Sequence, residues 1–481
     1  MTQPNVGTLF GHPKGLFLLF GTEMWERFGY YGMRALLVLY LVASVQEGGF
    51  GWTSGEALSL YGTFTMAVYL TPVIGGWLAD NFIGQRKAII IGGIIFSLGY
   101  FTLGIPKSLI MGMEETVFYI GLILIIIGNG LFKANVSSLV GDLYEEGDHR
   151  RDGAFTIFYM GINLGAFLAP ITVGVLGEQV NWHYGFILAG CGMVIGLILQ
   201  LTLANKYLGD IGVEPSAKRT QCKGKIKAHA ALTPDDIDRM KVILIMSMFS
   251  VIFWAGFEQA GGLFTIYASD FTDRTIFGFE IAASSFQSLN ALFIIMLAPV
   301  IASVWVKMGS NEPTSPKKFA LAMVFLALGF FVMLWATMVQ DGDVTVKVSM
   351  LFLVFAYLFH TLGELCLSPI GLSMVTKLAP LKFTSVLMGV WFLFTALSNK
   401  LAGFIGSFVG EGQEMVDNAA NIFMGVGVAA LMTGIMIFMS AGKLVAWMHG
   451  AEGTHDGGIE DKFDEEISVT GTHEGVSKIH H

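Results

Sequence analysis

Twelve runs of about twenty mostly apolar residues dominate the chain, each long enough to cross a bilayer core as a helix. They lie near 15–45, 57–79, 88–105, 116–141, 153–176, 184–206, 241–268, 282–306, 318–339, 348–376, 384–410 and 419–447. Of the 481 residues, 54% are hydrophobic and only 14% are charged, against about 25% charged in an ordinary soluble protein. Mean hydropathy is +0.64. Folded as a water-soluble globule, such a chain would expose more apolar surface than water tolerates. A soluble enzyme and a disordered chain are therefore excluded. A membrane β-barrel would show alternating segments of about ten residues, and the sequence has none. The first run is too long for a signal-peptide core and no cleavage motif follows it, so we expect a retained helix. With 28 basic and 37 acidic residues, the net charge is −9. An acidic chain without a basic patch is a poor nucleic-acid binder. Cys191, Cys222 and Cys366 show no CxxC spacing, so we expect neither a disulfide framework nor a zinc site; no other metal and no cofactor is expected.

The charges between the runs set an expected topology. With both termini inside, the inner loops hold Arg86, Lys87, Arg150, Arg151, Lys307, Lys317, Lys318, Lys377 and Lys382. The segment after the sixth run adds Lys206, Lys218, Arg219, Lys223, Lys225, Lys227, Arg239 and Lys241. The outer loops hold only Lys107, Arg274 and Lys347. That bias is the positive-inside rule. Adding or removing one span would scramble it.

The expected fold is an all-α integral membrane protein of twelve transmembrane helices, arranged as two six-helix bundles with cytoplasmic termini. Six spans, a polar linker and six more spans are the layout of the major facilitator superfamily, whose substrates bind between the halves near the midplane. We expect an N-terminal bundle at 1–208, a linker at 209–240, a C-terminal bundle at 241–449 and a disordered tail at 450–481. The tail is Gly-rich and acidic, with Glu460, Asp461, Asp464, Glu465 and Glu466.

Ionisable side chains at membrane depth are costly and usually functional. The first run contains Glu23, Glu26, Arg27, Tyr30 and Arg34. At about 100° per residue they share an arc of roughly 100°. That face must meet a wet cavity or charged partners rather than lipid. Lys133 in the fourth run offers such a partner. Its neighbours Gly128-Asn129-Gly130 do not form a nucleotide loop, because no strand precedes them. Asn135-Val136-Ser137 reads as a chance glycosylation sequon at membrane depth. The second half contributes Glu258 and Glu364, with His360 one turn from Glu364. We expect His360 to pack rather than share a proton. Lys400 lines the cavity or snorkels and stays outside the candidate site. Cations beside carboxylates in one half, and lone carboxylates in the other, suit a ligand with one negative and one positive end.

The stretch Glu23-x-x-Glu26-Arg27-Phe28-x-Tyr30-Tyr31-Gly32 resembles the ExxERFxYYG signature of the proton-dependent oligopeptide transporters. Gly75-Gly76-Trp77-Leu78-Ala79-Asp80-Asn81-Phe82-Ile83-Gly84 is similar to that family's loop between spans two and three, where Asp80 with Arg86 would pin an inner turn and gate the halves. The 155–167 stretch, Phe132-Lys133-Ala134-Asn135, and Gly363-Glu364 through Ser368-Pro369 also match. The resemblance implies a bacterial inner-membrane, multi-pass symporter of di- and tripeptides with protons. It implies Glu23, Glu26, Arg27, Lys133 and Glu258 for proton coupling, with Lys133 paired to the span-one carboxylates and Glu258 alternating its pairing with Arg34. Arg34 and Lys133 would meet the peptide carboxylate, and Glu364 its ammonium, with Asn163 and Asn290 in support. Tyr30, Tyr69, Trp254 and Trp391 would line side-chain pockets. Two departures are visible. The 209–239 segment is too polar to add the two extra spans of many bacterial members, and no large outer domain separates spans nine and ten. No histidine lies in span two, so protonation would rest on carboxylates.

The sequence has no HExxH, GxSxG or Walker motif, so peptide hydrolysis and direct use of ATP are not expected. Two other readings stay open at this point. One is a symporter of another charged solute, such as nitrate, an amino acid or a drug. The other is a membrane receptor that binds without transport.

Overall fold

The computed structural model describes residues 7–145, 148, 150–216, 232–380 and 383–451, and these are almost wholly helical. In the first half the helices are α1 (Lys14–Val42), α2 (Ser54–Leu78), α3 (Gln85–Leu103), α4 (Glu114–Asp142), α5 (Arg150–Ala169), α6 (Val175–Gln179) and α7 (Trp182–Leu208). In the second half they are α8 (Pro234–Phe257), α9 (Leu263–Asp270), α10 (Ser288–Met308), α11 (Ser315–Gln340), α12 (Leu351–Leu378), α13 (Thr384–Gly406) and α14 (Met415–Trp447). Three two-residue strand pairs complete it: Thr8–Leu9 with His12–Pro13, Thr272–Asp273 with Val348–Ser349, and Thr275–Ile276 with Phe279–Glu280. The expected basic linker residues from Lys218 to Lys227, Lys382 and the acidic tail lie outside the described residues.

Among the described residues, eleven helical segments are long and apolar enough to cross a membrane. α1 is 29 residues long, but its four buried charges keep it off that count. The interior is largely apolar, but the outer surface is apolar too and a few charges are buried. Trp77, Ile123, Leu201, Met248, Trp335 and Met439 face outward, whereas Glu26, Arg27 and Glu258 are buried. Only a lipid surround makes that arrangement favourable.

Helix starts follow the sequence. Thr53 and Glu56 form a capping box at α2, and Thr233 and Asp236 form another at α8, with Pro234 in the first turn. Each box satisfies amide groups that the first turn leaves free. Within α2, Pro72 has no N–H to give Val68. Asn129 from α4 supplies the missing donor, its Nδ2 lying 2.8 Å from the Val68 carbonyl. The Gly-x-Gly of α4 serves this same contact. A Cβ on Gly75 would fall 1.9 Å from the Gly130 carbonyl oxygen, so the α2 and α4 backbones touch.

Two expected spans are not simple helices. The fifth passes through a π turn at Pro170–Gly174 before α6. The seventh breaks between α8 and α9 in a 3₁₀ turn, Glu258–Gly261. Gly262, at φ −114° and ψ −102°, lets the chain leave helical geometry. The carbonyl of Ala260, freed by the break, accepts from Tyr357 Oη at 3.1 Å and Thr265 Oγ1 at 2.9 Å. Backbone groups released inside a membrane must be satisfied by protein in this way.

Helix α1 packs between α5 and α7, and α4 packs on α2 and α3. In the second half α11 packs on α12 and α14. The halves meet where α2 runs along α13 and α5 along α10. At the end reached by the α1 C-terminus, Lys107 donates to the Gly49 carbonyl at 2.6 Å and lies 3.8 Å from the Phe50 ring centre. Burial lowers the Lys107 pKa there. At the opposite end, Arg86 donates from Nη1 to the Gly209 carbonyl at 2.6 Å, and Asp80 accepts from Ser216 Oγ at 3.0 Å. Asp80 and Arg86 are not paired with each other, contrary to the sequence-based expectation. Each instead fastens part of the segment after α7, which the sequence gives no means of docking.

Candidate functional site

The span-one charges sit on the inner face of α1. Glu26 is fully buried, and Glu23 and Arg27 are 2% exposed. Arg27 makes a two-pronged pair with Glu26 and lies 3.4 Å from Glu23 through Nε. Its Nη2 also reaches Asn129 Oδ1 at 3.4 Å. Thus the asparagine that repairs α2 at Pro72 also steadies the guanidinium. Glu23 Oε2 has no hydrogen-bond partner among the described residues.

Lys133 departs from expectation. Among the described residues no carboxylate lies within ion-pair distance of it, and Arg27 is the cation that Glu23 and Glu26 pair with. Its ammonium instead lies 4.4 Å from the centre of the Tyr69 ring, a cation–π geometry.

Two turns further along α1, Arg34 reaches the other half of the chain. Its Nη2 is 3.1 Å from Glu258 Oε2, and its Nε donates to Tyr61 Oη at 2.8 Å. Tyr61 Oη is also 3.4 Å from Glu258 Oε1. The triangle joins α1, α2 and the break in span seven. Gly261 leaves room for it, since a Cβ there would lie 2.0 Å from Tyr61 Oη and 2.7 Å from Arg34.

A cavity of about 300 Å³ lies between the halves. Arg34, Glu258 and Glu364 line it together with Tyr69, Asn163, Trp254, Asn290 and Trp391. The structure therefore brings together most of the expected contact residues. Asn290 donates from Nδ2 to Glu364 Oε2 at 2.8 Å and to Thr361 Oγ1 at 3.1 Å. Asn163 donates to the Tyr159 carbonyl at 2.9 Å.

Two expected lining residues are not on the wall. Lys133, half-buried, contacts Tyr69 of the wall. Tyr30 is buried, its hydroxyl without a partner among the described residues, and Tyr31 lines the cavity in its place. The reason is helical phase: Tyr31 lies four residues after Arg27 and three before Arg34, on the stripe that faces the void. Arg34 sits 5.6 Å from the Tyr31 ring centre. Tyr61, Tyr159 and Gln287 were also missed. No charge or motif singles out Tyr61 or Gln287, whereas Tyr159 lies within the 155–167 motif, one turn before Asn163. His360 behaves as expected, stacked on Phe264 with ring centres 5.5 Å apart and packed against Phe330. Lys400 bonds Thr63 Oγ1 across α13 and α2 at 2.7 Å.

Comparison with known proteins points one way. The POT family profile matches residues 86–207 and 202–423. The chain is 35% identical to "Peptide transporter YePEPT" of Yersinia enterocolitica, over 94% of this chain and 98% of that protein. It is 32% identical to a "Di-/tripeptide transporter" of Lactococcus lactis, over 90% and 96% respectively. It is 39% identical to "Uncharacterized transporter YclF" of Bacillus subtilis, over 82% and 87%. Among solved structures, it is similar to a peptide transporter POT in complex with sulfate. The TM-score is 0.83 at 36% identity, covering 93% of this chain and 98% of that one. A second similar structure is a POT family transporter in complex with 5-aminolevulinic acid, with a TM-score of 0.81 at 30% identity, covering 92% and 98%.

Proposed function

The chain belongs to the POT family, and from that premise we propose that it imports di- and tripeptides by proton-coupled symport. It is a multi-pass membrane transporter, not an enzyme. We read it as twelve spans in two six-helix bundles, 1–208 and 241–449, joined by a linker at 209–240, with the termini and the 450–481 tail on the cytoplasmic side of a bacterial inner membrane. α1 is the span that composition alone does not count, because its charges face protein.

One observation carries the reading: Arg34 and Glu364 line the same cavity between the halves. A free peptide bears a carboxylate at one end and an ammonium at the other. Arg34 receives the first and Glu364, oriented by Asn290, the second. The distance between two fixed charges limits peptide length, while Tyr31, Tyr69, Trp254 and Trp391 meet side chains with little selectivity. A nitrate carrier would have no ammonium to place at Glu364, and that disfavours the nearest alternative.

Glu258 supplies the coupling. While it is ionised it occupies Arg34. A proton on Glu258 removes the ion pair and frees the guanidinium for the peptide carboxylate. Glu23, Glu26 and Arg27 form a second exchangeable cluster, with Lys133 at its edge through Tyr69. Inward movement of one proton supplies about 2.3 kcal/mol per 100 mV and about 1.36 kcal/mol per pH unit.

Purified protein in vesicles, given an inward acid gradient, tests this directly. Dialanine and trialanine accumulate, while alanine and tetraalanine do not. Equal uptake of all four, or uptake indifferent to the gradient, refutes the proposal.

A further inference from the structure

Above the cavity, the end of span five is tied to the start of span eight by a single carboxylate. Glu178, in α6, accepts at Oε1 from the Ala283 amide at 2.8 Å and from Arg274 Nη1 at 3.2 Å. At Oε2 it accepts from the Ser284 amide at 3.0 Å and the Ser284 hydroxyl at 2.9 Å. Four donors on one carboxylate, two of them backbone amides at a helix start, make a directed joint rather than a loose surface pair. Arg274 is itself fixed. It donates to the Ile281 carbonyl at 2.7 Å and pairs with Glu280 at 2.8 Å. Gln179 adds a bond to the Glu280 carbonyl at 3.2 Å. The backbones are also close, since a Cβ on Gly174 would lie 2.6 Å from Ser284 Oγ.

The position of the joint gives it meaning. Pro170, one turn before Gly174, and Gln287, one turn after Ser284, both line the cavity. One helical turn is about 5.4 Å, so Gly174 and Ser284 stand about one turn beyond the cavity wall and Glu178 a further turn out, at the end of the cavity where spans five and eight meet. In the topology proposed above, this is the outer end. A site that serves both faces of the membrane in turn must open here for ligand to enter. α5 and α10, which continue down from the joint, are in contact along the cavity wall, so parting them at the roof exposes the void.

We propose that Glu178 is the latch of the outer gate: its bonds to Ala283, Ser284 and Arg274 hold the outward path shut, and they must break in each cycle. The inference rests on the alternating-access reading. It assigns a positioning role to a residue that does not touch the cavity.

The test places one cysteine in the cavity, Ala291→Cys, in a chain whose three native cysteines are replaced. Intact cells are treated with a membrane-impermeant maleimide. Adding Glu178→Ala raises the rate of labelling from outside, by about tenfold if the charge-assisted bonds set the closed fraction. Glu178→Gln, which keeps acceptor capacity at one atom, gives an intermediate rate. A merely structural residue would lower the melting temperature without raising labelling, and that result overturns the proposal. A second variant guards against misfolding: Glu178→Cys with Ser284→Cys is compared oxidised and reduced. Uptake is lost on oxidation and restored by reduction. Full uptake in the cross-linked form overturns the proposal. Dialanine uptake by the parent chain is scored separately. Absent uptake there counts against the transport reading, whereas unchanged labelling counts against the latch.

Discussion

Arg34 and Glu258 meet at 3.1 Å, one from α1 and the other from the break in span seven. Each is the other's only ion-pair partner among the described residues, so the charge state of one decides the freedom of the other. Glu258→Gln removes the negative charge while keeping a hydrogen-bonding side chain. We expect this variant to bind peptide and exchange it between compartments, yet fail to concentrate it. For each coupled proton, 100 mV and one pH unit together give about 3.7 kcal/mol, or about a 500-fold gradient at equilibrium. The variant should settle near a ratio of one in a vesicle accumulation assay. Accumulation at the parent level would remove Glu258 from the coupling path.

Glu364 should act on the other end of the ligand. Asn290 fixes its carboxylate at 2.8 Å, so the anion is aimed before peptide arrives. Replacing a charged partner in a hydrogen-bonded ion pair costs about 1.5–3 kcal/mol, or about 10- to 150-fold in affinity. Glu364→Gln should weaken free dipeptides by that factor and N-acetylated dipeptides far less. Competition against a labelled peptide checks this. Equal weakening of both would mean that no ammonium sits there. Asn290→Ala should reproduce part of the loss, because the carboxylate keeps its charge but not its orientation.

The sequence made the architecture legible because each signal was local. Apolar runs place the helices to within a few residues, as with 318–339 against Ser315–Gln340. The crowding of Glu23, Glu26, Arg27 and Arg34 on one face marks the buried side of α1 without any structure. What stayed hidden depends on contacts between distant segments. Tyr61 became part of the Arg34–Glu258 triangle only because α2 passes the break in span seven, and a tyrosine in an apolar run carries no mark of that. The helical arc pointed to Tyr30, but the cavity lies off its centre toward Tyr31. Charge and the family motif both pair Lys133 with the span-one carboxylates, yet Arg27, on the same helix as both, is the cation within ion-pair distance of them. Asp80 and Arg86 are six residues apart and of opposite charge, but each finds its partner in the segment after α7.

Lys133 is expected to matter through Tyr69. Its ammonium lies 4.4 Å from that ring centre, and Tyr69 lines the cavity. Lys133→Ala should abolish gradient-driven uptake. Tyr69→Phe keeps the ring face and a cation–π contact worth about 0.5–2 kcal/mol, so it should retain most transport. Tyr69→Ala should resemble the lysine variant. Gradient-driven uptake in vesicles measures all three. Normal uptake by Lys133→Ala would sink the assignment, and equal loss in Tyr69→Phe and Tyr69→Ala would show that the hydroxyl, not the ring face, is what counts.

Where α2 meets α13, two glycines leave no space for a side chain. A Cβ on Gly62 would lie 2.7 Å from the Gly403 Cα and 2.9 Å from the Asn399 carbonyl oxygen. A Cβ on Gly403 would lie 2.5 Å from the Gly62 Cα and from the Leu58 carbonyl oxygen. Neither glycine has a left-handed φ, so the requirement is for space and not for backbone freedom. The atoms in the way are backbone, which cannot swing aside as a side chain can. Gly62→Val or Gly403→Val must therefore push the two helices apart, and overpacking of this kind costs about 1–3 kcal/mol or more. Gly425, in α14, is different: a Cβ there would meet nothing within 4 Å, and alanine gains about 0.5–1 kcal/mol of helix preference. Melting of the detergent-solubilised protein should fall in the two valine variants and hold or rise in Gly425→Ala. If all three melt alike, the α2–α13 contact is looser than these distances require, and the joint between the halves does not depend on it.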